Sequence, residues 1–105
     1  MKAIQYLHSK YIYYGDMKPS NILIFQNMQV KLGDFGTAEK FEDMSSILYL
    51  RGATKFFCDP SIWKKINEGT EVSVKEALKN DYYCLWKTFE WTLKELNLPP
   101  ESLFF

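Results

Sequence analysis

Arginine is almost missing from this chain: of its 13 basic residues, only Arg51 carries a guanidinium. Planar two-point recognition of phosphate prefers that group, so any phosphate handling here falls mainly to lysine. Neither sign of charge is in excess, with 13 basic against 13 acidic residues and a net charge of zero. That balance excludes binding to nucleic acid or to a membrane surface through a basic field. Cysteine is scarce too. Cys58 and Cys84 stand far apart, form no CxxC pattern and have only His8 to share a metal with. A zinc site of the usual Cys/His kind is therefore excluded, and both thiols read as buried apolar residues of a reducing compartment, cytoplasmic or nuclear. No run of apolar residues nears the roughly 18 needed to cross a bilayer. The opening stretch Met1 to Tyr6 also lacks the apolar core of a signal peptide.

What is present reads as globular. Hydrophobic residues make up 47% and charged residues 25% of 105 positions, the balance of a folded soluble sequence and not a disordered one. This length allows one domain at most, and a domain so small buries only roughly 65% of the surface its unfolded chain exposes. The 18 aromatic residues read as core and lobe surface, not as platforms for stacking bases.

Hydrophobic spacing gives the elements. Ala3, Ile4 and Leu7 recur at helical intervals with no capping residue before them, so the sequence opens inside a helix whose front half is expected to be cut away. Ile12-Tyr13-Tyr14 predicts a short strand. Residues 21–25 and 29–32 predict a hairpin around a turn at Gln26-Asn27-Met28. Residues 33–61 show no sustained period and predict a long irregular loop. A short helix is expected at 62–68 and a polar connector at 69–80. Tyr82, Leu85, Trp86, Phe89, Leu93 and Leu96 then form a helical stripe, with Asn80 or Asp81 as its cap and Pro99-Pro100 as its end.

The chemistry concentrates in Gly15-Asp16-Met17-Lys18-Pro19-Ser20-Asn21 and in Gly33-Asp34-Phe35-Gly36. Asp16, Asn21 and Asp34 offer the hard oxygen ligands that Mg²⁺ prefers beside phosphate oxygens. Lys18 adds a compact cation. Asn21 and Asp34 flank the two arms of the hairpin, which places them at one end of adjacent strands. Taken singly, loop Asp and Asn residues also serve merely to cap turns. His8 has no acid or nucleophile near it in sequence and reads as a structural histidine.

Together, in this order and joined by a hairpin, the two stretches resemble the catalytic loop and the DFG motif of eukaryotic protein kinases of serine/threonine type, written H-R-D-L-x-x-x-N and D-F-G. Asp16 and Asn21 keep the spacing of five that the first pattern requires. The resemblance implies an α+β, mostly helical fold: a large-lobe fragment with a β-hairpin after the catalytic loop. It implies one partial domain over residues 1–105, with the catalytic loop at 14–21, the metal-binding motif at 34–36, an activation segment at 34–61 and a central helix from about residue 81. It implies ATP and Mg²⁺ as cofactors and a protein substrate or docking partner, with no nucleic acid and no membrane. Asp16 matches the catalytic aspartate. Lys18 matches the lysine beside the transferring phosphoryl group, and Thr54 the activation-segment threonine that touches both. Asn21 and Asp34 match the metal ligands and, with Lys18, the nucleotide-binding set. Asp81 resembles the buried aspartate that starts the central helix and anchors the catalytic-loop backbone.

Several positions depart from the pattern. Tyr14-Gly15-Asp16 stands where His-Arg-Asp is usual, and Gly15 offers no donor to a phosphorylated activation loop. Ser45, Ser46 and Tyr49 remain as acceptors for a regulatory phosphate. Asp59-Pro60-Ser61 replaces Ala-Pro-Glu, and Trp86 replaces a glycine, which predicts repacking around it. The Gly-rich loop, strand lysine and partner glutamate of the nucleotide cleft have no counterpart in these 105 residues. The expected function is phosphoryl transfer from ATP to protein Ser/Thr hydroxyls in a complete domain, with the isolated chain inactive. The alternatives are a catalytically dead kinase-like binding module and a truncated gene product.

Overall fold

The computed structural model describes residues 1–99. Its order is helix α1 (Lys2–Ser9), strand β1 (Ile12–Tyr13), hairpin strands β2 (Ile22–Ile24) and β3 (Val30–Leu32), and strands β4 (Glu39–Lys40) and β5 (Ile47–Leu48). Helix α2 (Pro60–Glu68), strand β6 (Val72–Ser73) and helix α3 (Val74–Glu95) complete it. Among the described residues the strands form three two-stranded antiparallel sheets, β1 with β4, β2 with β3 and β5 with β6. The class is α+β, and the helices, at 8, 9 and 22 residues, are the largest regular component.

The hairpin forms where the β-prone runs predict it, with Ile22 opposite Leu32 and Ile24 opposite Val30. Its turn works because Asn27 takes a left-handed φ of 72°, a conformation asparagine tolerates better than most residues. The stretch 33–61, expected to be one long irregular loop, instead contributes strands β4 and β5 and the start of α2. Glu39 pairs with Tyr13, and Leu48 with Val72. Two-residue strands leave no periodic signal in sequence, because each depends on a distant partner.

The central helix also starts earlier than residue 81. Ser73 caps it: its hydroxyl accepts the Glu76 N–H at 3.1 Å and donates to the Glu76 carboxylate at 3.1 Å. This reciprocal Ser-x-x-Glu arrangement is a capping box, and it outweighs the polar look of 69–80. Asn80 and Asp81, expected as caps, lie mid-helix and buried, at 1% and 0% exposure. The helix ends at Glu95 through Asn97, whose φ is 57°, before either proline is reached; Pro100 lies outside the described residues. Trp86 is 49% exposed, so its bulk falls on the surface and the expected repacking does not arise. Helix α2, expected at 62–68, starts two residues earlier, with Asp59 accepting the Ser61 N–H at 2.8 Å, Pro60 in the first turn and Gly69 closing it at φ 65°.

Two cores meet on α3. One gathers Tyr13, Phe41, Leu48, Leu50, Cys58, Ile62, Val72, Val74 and Ala77. The other gathers Ile4, Tyr14, Met17, Cys84 and Leu85. Tyr13 belongs to the first and Tyr14 to the second, so the chain leaving β1 is gripped from both sides just before Gly15.

Candidate active site

The loop after β1 is fixed from beneath by Asp81. Its carboxylate accepts the Tyr14 N–H and the Gly15 N–H, each at 2.9 Å, and His8 Nε2 at 2.8 Å. A buried carboxylate needs such partners, and two otherwise orphaned backbone donors need an acceptor. His8 is thus the structural histidine expected, with its acid supplied 73 residues away. Asp81 anchors the loop as the resemblance implies, though from the middle of α3. Gly15 turns the chain at φ 91°, and a Cβ there would lie 2.9 Å from the Tyr13 ring and 3.0 Å from Thr37 O. Met17, wholly buried, pins the next step of the loop.

Above that base four polar side chains converge. The Thr54 hydroxyl donates to Asp16 Oδ1 at 2.8 Å and accepts from Lys18 Nζ at 2.9 Å. Lys18 Nζ stands 3.6 Å from Asp16 Oδ2. Asn21 Nδ2 donates to the Asp16 carbonyl at 2.7 Å and touches Asp16 Oδ2 at 3.4 Å. The threonine comes from 36 and 38 residues further along the chain, so the loop holding Thr54 is docked onto the loop at 14–21 by these bonds. The spacing Thr54 to Pro60 made Thr54 findable only through the family resemblance.

Asp34 is reached through the backbone. Gly33 N–H donates to the Asn21 carbonyl at 2.8 Å, one step beyond the Ile22–Leu32 pair of the hairpin. Hence the hairpin brings the chain at Asn21 beside the chain at Gly33–Asp34. The Asp34 carboxylate itself stays apart from the other four side chains: it is exposed and accepts the Gly36 N–H at 3.0 Å. Its φ of 50° is a left-handed backbone, of the kind that recurs where a functional side chain is aimed.

Tyr14 and Thr37 were not among the sequence-level candidates. The Tyr14 hydroxyl donates to the Gly33 carbonyl, and its ring meets Phe35 edge-on at 5.3 Å between centroids. Burial, then the nearby carboxylates of Asp16, Asp34 and Asp81, push its phenol well above the ordinary value, so it remains a donor. Thr37 Oγ1 donates to the Tyr14 carbonyl at 3.2 Å. No local pattern marks either residue.

Among the described residues no group of three or more His, Cys, Asp or Glu side chains could hold a metal ion by itself. The donor set nevertheless fits a hard cation that arrives with phosphate. Asn21 spends its Nδ2 on Asp16, which leaves Oδ1 accepting no hydrogen bond from the described residues, and Asp34 keeps one carboxylate oxygen open. One carboxylate and one amide oxygen suit Mg²⁺, which keeps waters and substrate phosphates as its other ligands.

The family model of the protein kinase domain matches residues 1–76. Serine/threonine-protein kinase RUNKEL of Arabidopsis thaliana is 58% identical over 43 residues, 41% of this chain and 3% of that protein. The human cAMP-dependent protein kinase catalytic subunit PRKX is 56% identical over 41 residues, 39% of this chain and 12% of that protein. Serine/threonine-protein kinase PKH2 of Saccharomyces cerevisiae is 36% identical over 89 residues, 85% of this chain. The aligned stretch is 8% of that last protein, so the chain spans only a small part of the curated relatives it matches.

Proposed function

The chain belongs to the protein kinase domain family, and on that premise we propose that it supplies the catalytic-loop half of a serine/threonine kinase site. In a complete domain that site transfers the γ-phosphoryl group of ATP to a protein hydroxyl. Asp16 orients the acceptor hydroxyl and takes its proton. Its Oδ2 is the less tightly held oxygen for this, with Asn21 Nδ2 at 3.4 Å and Lys18 Nζ at 3.6 Å, since Oδ1 accepts from Thr54 at 2.8 Å. Lys18 faces the transferring phosphoryl group as a point charge. Thr54 bonds both and keeps them in register. Asn21 and Asp34 would hold Mg²⁺, which neutralises phosphate charge when bound with the nucleotide. Phosphoryl transfer depends almost wholly on such positioning and charge.

The observation that carries this reading is the hydrogen-bonded set Asp16–Thr54–Lys18, closed by Asn21 on the Asp16 backbone. The resemblance implies that Thr54 touches Asp16 and Lys18, and these bonds are the arrangement in which it does. By itself the 105-residue chain turns over negligibly, because it has no Gly-rich loop and no strand lysine to bind the phosphates. We place it inside the cell, in line with two free, buried cysteines. Its partners on this reading are protein substrates.

The test is transfer of labelled γ-phosphate from ATP to protein by this chain joined in frame to a kinase small lobe. Label is expected on Ser and Thr, with a loss of at least about 100-fold in Asp16→Asn. Transfer undiminished by Asp16→Asn removes the assignment. Unchanged nucleotide binding with no transfer in the native sequence selects the kinase-like binding module instead.

A further inference from the structure

The segment 34–61 is tied down along its whole length, and one of its ties uses the only arginine in the chain. Arg51 Nε donates to Glu39 Oε1 at 3.0 Å, and Arg51 Nη2 donates to the Ala38 carbonyl at 2.7 Å. The fork thus reaches back 12 and 13 residues, from just before Thr54 to the strand that pairs with Ile12–Tyr13. Glu39 faces Tyr13 across that pair, and Tyr13 leads directly into the catalytic loop. Between the two ends, Leu48 and Leu50 are buried in the core, and Ile47–Leu48 pairs with β6.

No phosphate is needed for any of these contacts, and the structure is poorly suited to accept one. Gly15, at the position where the family places the phosphate-holding arginine, has no donor side chain. Its positive φ and the 3.0 Å approach to Thr37 leave no room for one. Ser45 already gives both its N–H, at 2.8 Å, and its hydroxyl, at 2.5 Å, to Asp43 Oδ1. A phosphate on Ser45 would meet that carboxylate as a like charge.

We propose that Arg51 is a positioning residue that holds the activation segment closed by bridging its C-terminal half to Glu39 and Ala38, so that the segment is ordered without phosphorylation. This rests on the kinase reading above only for the segment's role; the clamp itself is a conformational claim. Its sign is the reverse of a phosphate switch. The cation sits on the C-terminal half of the segment, and the acid lies on strand β4. Arg51 is 61% exposed and Glu39 21%, so the ion pair is individually weak and sensitive to salt. The buried leucines and paired strands set the path of the segment, and the guanidinium fixes its end.

Hydrogen exchange read by mass spectrometry on the unphosphorylated chain tests this. Peptides covering 38–54 are expected to be protected. Arg51→Ala speeds their exchange about two- to five-fold, the range of an exposed ion pair, and the same increase follows added salt in the native chain. The swap Glu39→Arg with Arg51→Glu restores the part of the protection that the ion pair supplies, and not the part supplied by the bond to the Ala38 carbonyl, which a carboxylate cannot make; a merely space-filling arginine would allow neither. Replacing Ser45 and Ser46 with Ala and Tyr49 with Phe leaves exchange unchanged outside the 43–46 turn, which itself loses the Ser46 hydroxyl that accepts the Asp43 N–H. Peptides from α3 serve as the control, since global unfolding raises them too and local opening does not. The inference is overturned if 38–54 exchanges freely until the protein is phosphorylated, or if Arg51→Ala changes nothing, or if the swap recovers none of the protection. Exchange needs no nucleotide. A protected segment in a chain whose fusion to a kinase small lobe transfers no phosphate would therefore refute the kinase reading and leave the clamp standing.

Discussion

Gly15 sits where most of the family carries arginine, and the structure gives a physical reason why the larger residue does not belong here. Its φ is 91°, and the first atom of any side chain would meet the Tyr13 ring and the Thr37 carbonyl at 2.9 and 3.0 Å. Restoring the usual residue should therefore harm the protein. Gly15→Arg is expected to lower unfolding free energy by about 1–3 kcal/mol through backbone strain and crowding. A urea melt with an unchanged midpoint would contradict the assigned backbone. The reason for Gly15 was half legible in sequence: the missing donor can be read from the pattern, but the positive φ cannot. The same holds for Asp81. Its partners lie 66 to 73 residues away, so only the family resemblance, and no local periodicity, pointed to its role.

At the scale of elements, α3 shows how one polar stretch can be read two ways. Asn80 has the look of a cap, yet it is 1% exposed and serves as a hub. Its Nδ2 donates to the Tyr13 hydroxyl at 3.0 Å, and its Oδ1 accepts the Asp59 N–H at 3.0 Å and both cysteine thiols at 3.7 Å. One side chain thus ties α3 to the start of α2 and to β1. Burial raises the Cys58 thiol to about 11, so it stays a neutral donor. Asn80→Leu keeps the volume but strands a backbone N–H and a phenol, and should cost about 2–3 kcal/mol. Calorimetry showing a stabilised variant would mean the hub is not formed. The cap that does form brings a pH dependence. A hydrogen bond from Lys65, at 2.5 Å, and another from Ser73 hold the Glu76 carboxyl below its ordinary value of 4.5. A depressed folded value means the contribution is present above 4.5 and is lost as pH falls through the folded value. Glu76 is half exposed, so the effect is at most ~0.5 kcal/mol. Glu76→Gln should melt slightly below the native chain at pH 7 and together with it at low pH; a gap that widens on acidification would reverse the sign. The signal for this cap, Ser-x-x-Glu before an apolar residue, is present at 73–76 and is masked by the charged residues around it.

Across the whole molecule, α3 joins two cores, one under the stretch 34–61 and one under the loop at 14–21. Between them the loop of Asp16 receives Thr54 from one side and the hairpin from the other. The hairpin, the two motifs and the helical stripe were legible because each is local. The short strands β4 to β6 were not, since a two-residue strand exists only through its partner. The convergence of Asp16, Lys18, Asn21 and Thr54 was legible only as a family expectation. The Asp34 carboxylate stays apart from the other four side chains and accepts only the Gly36 N–H among the described residues. On this account Asn21 and Asp34 close on one metal ion when nucleotide arrives. Paramagnetic line broadening by Mn²⁺ with ATP reports that closure directly and does not require tight binding. The signals of Lys18, Asn21 and Asp34 should broaden together and first, and Asp34→Asn should abolish the effect at Asn21. Broadening that settles instead on the exposed acids at 42 and 43, leaving Asn21 sharp, would contradict the assignment of a phosphoryl-transfer site.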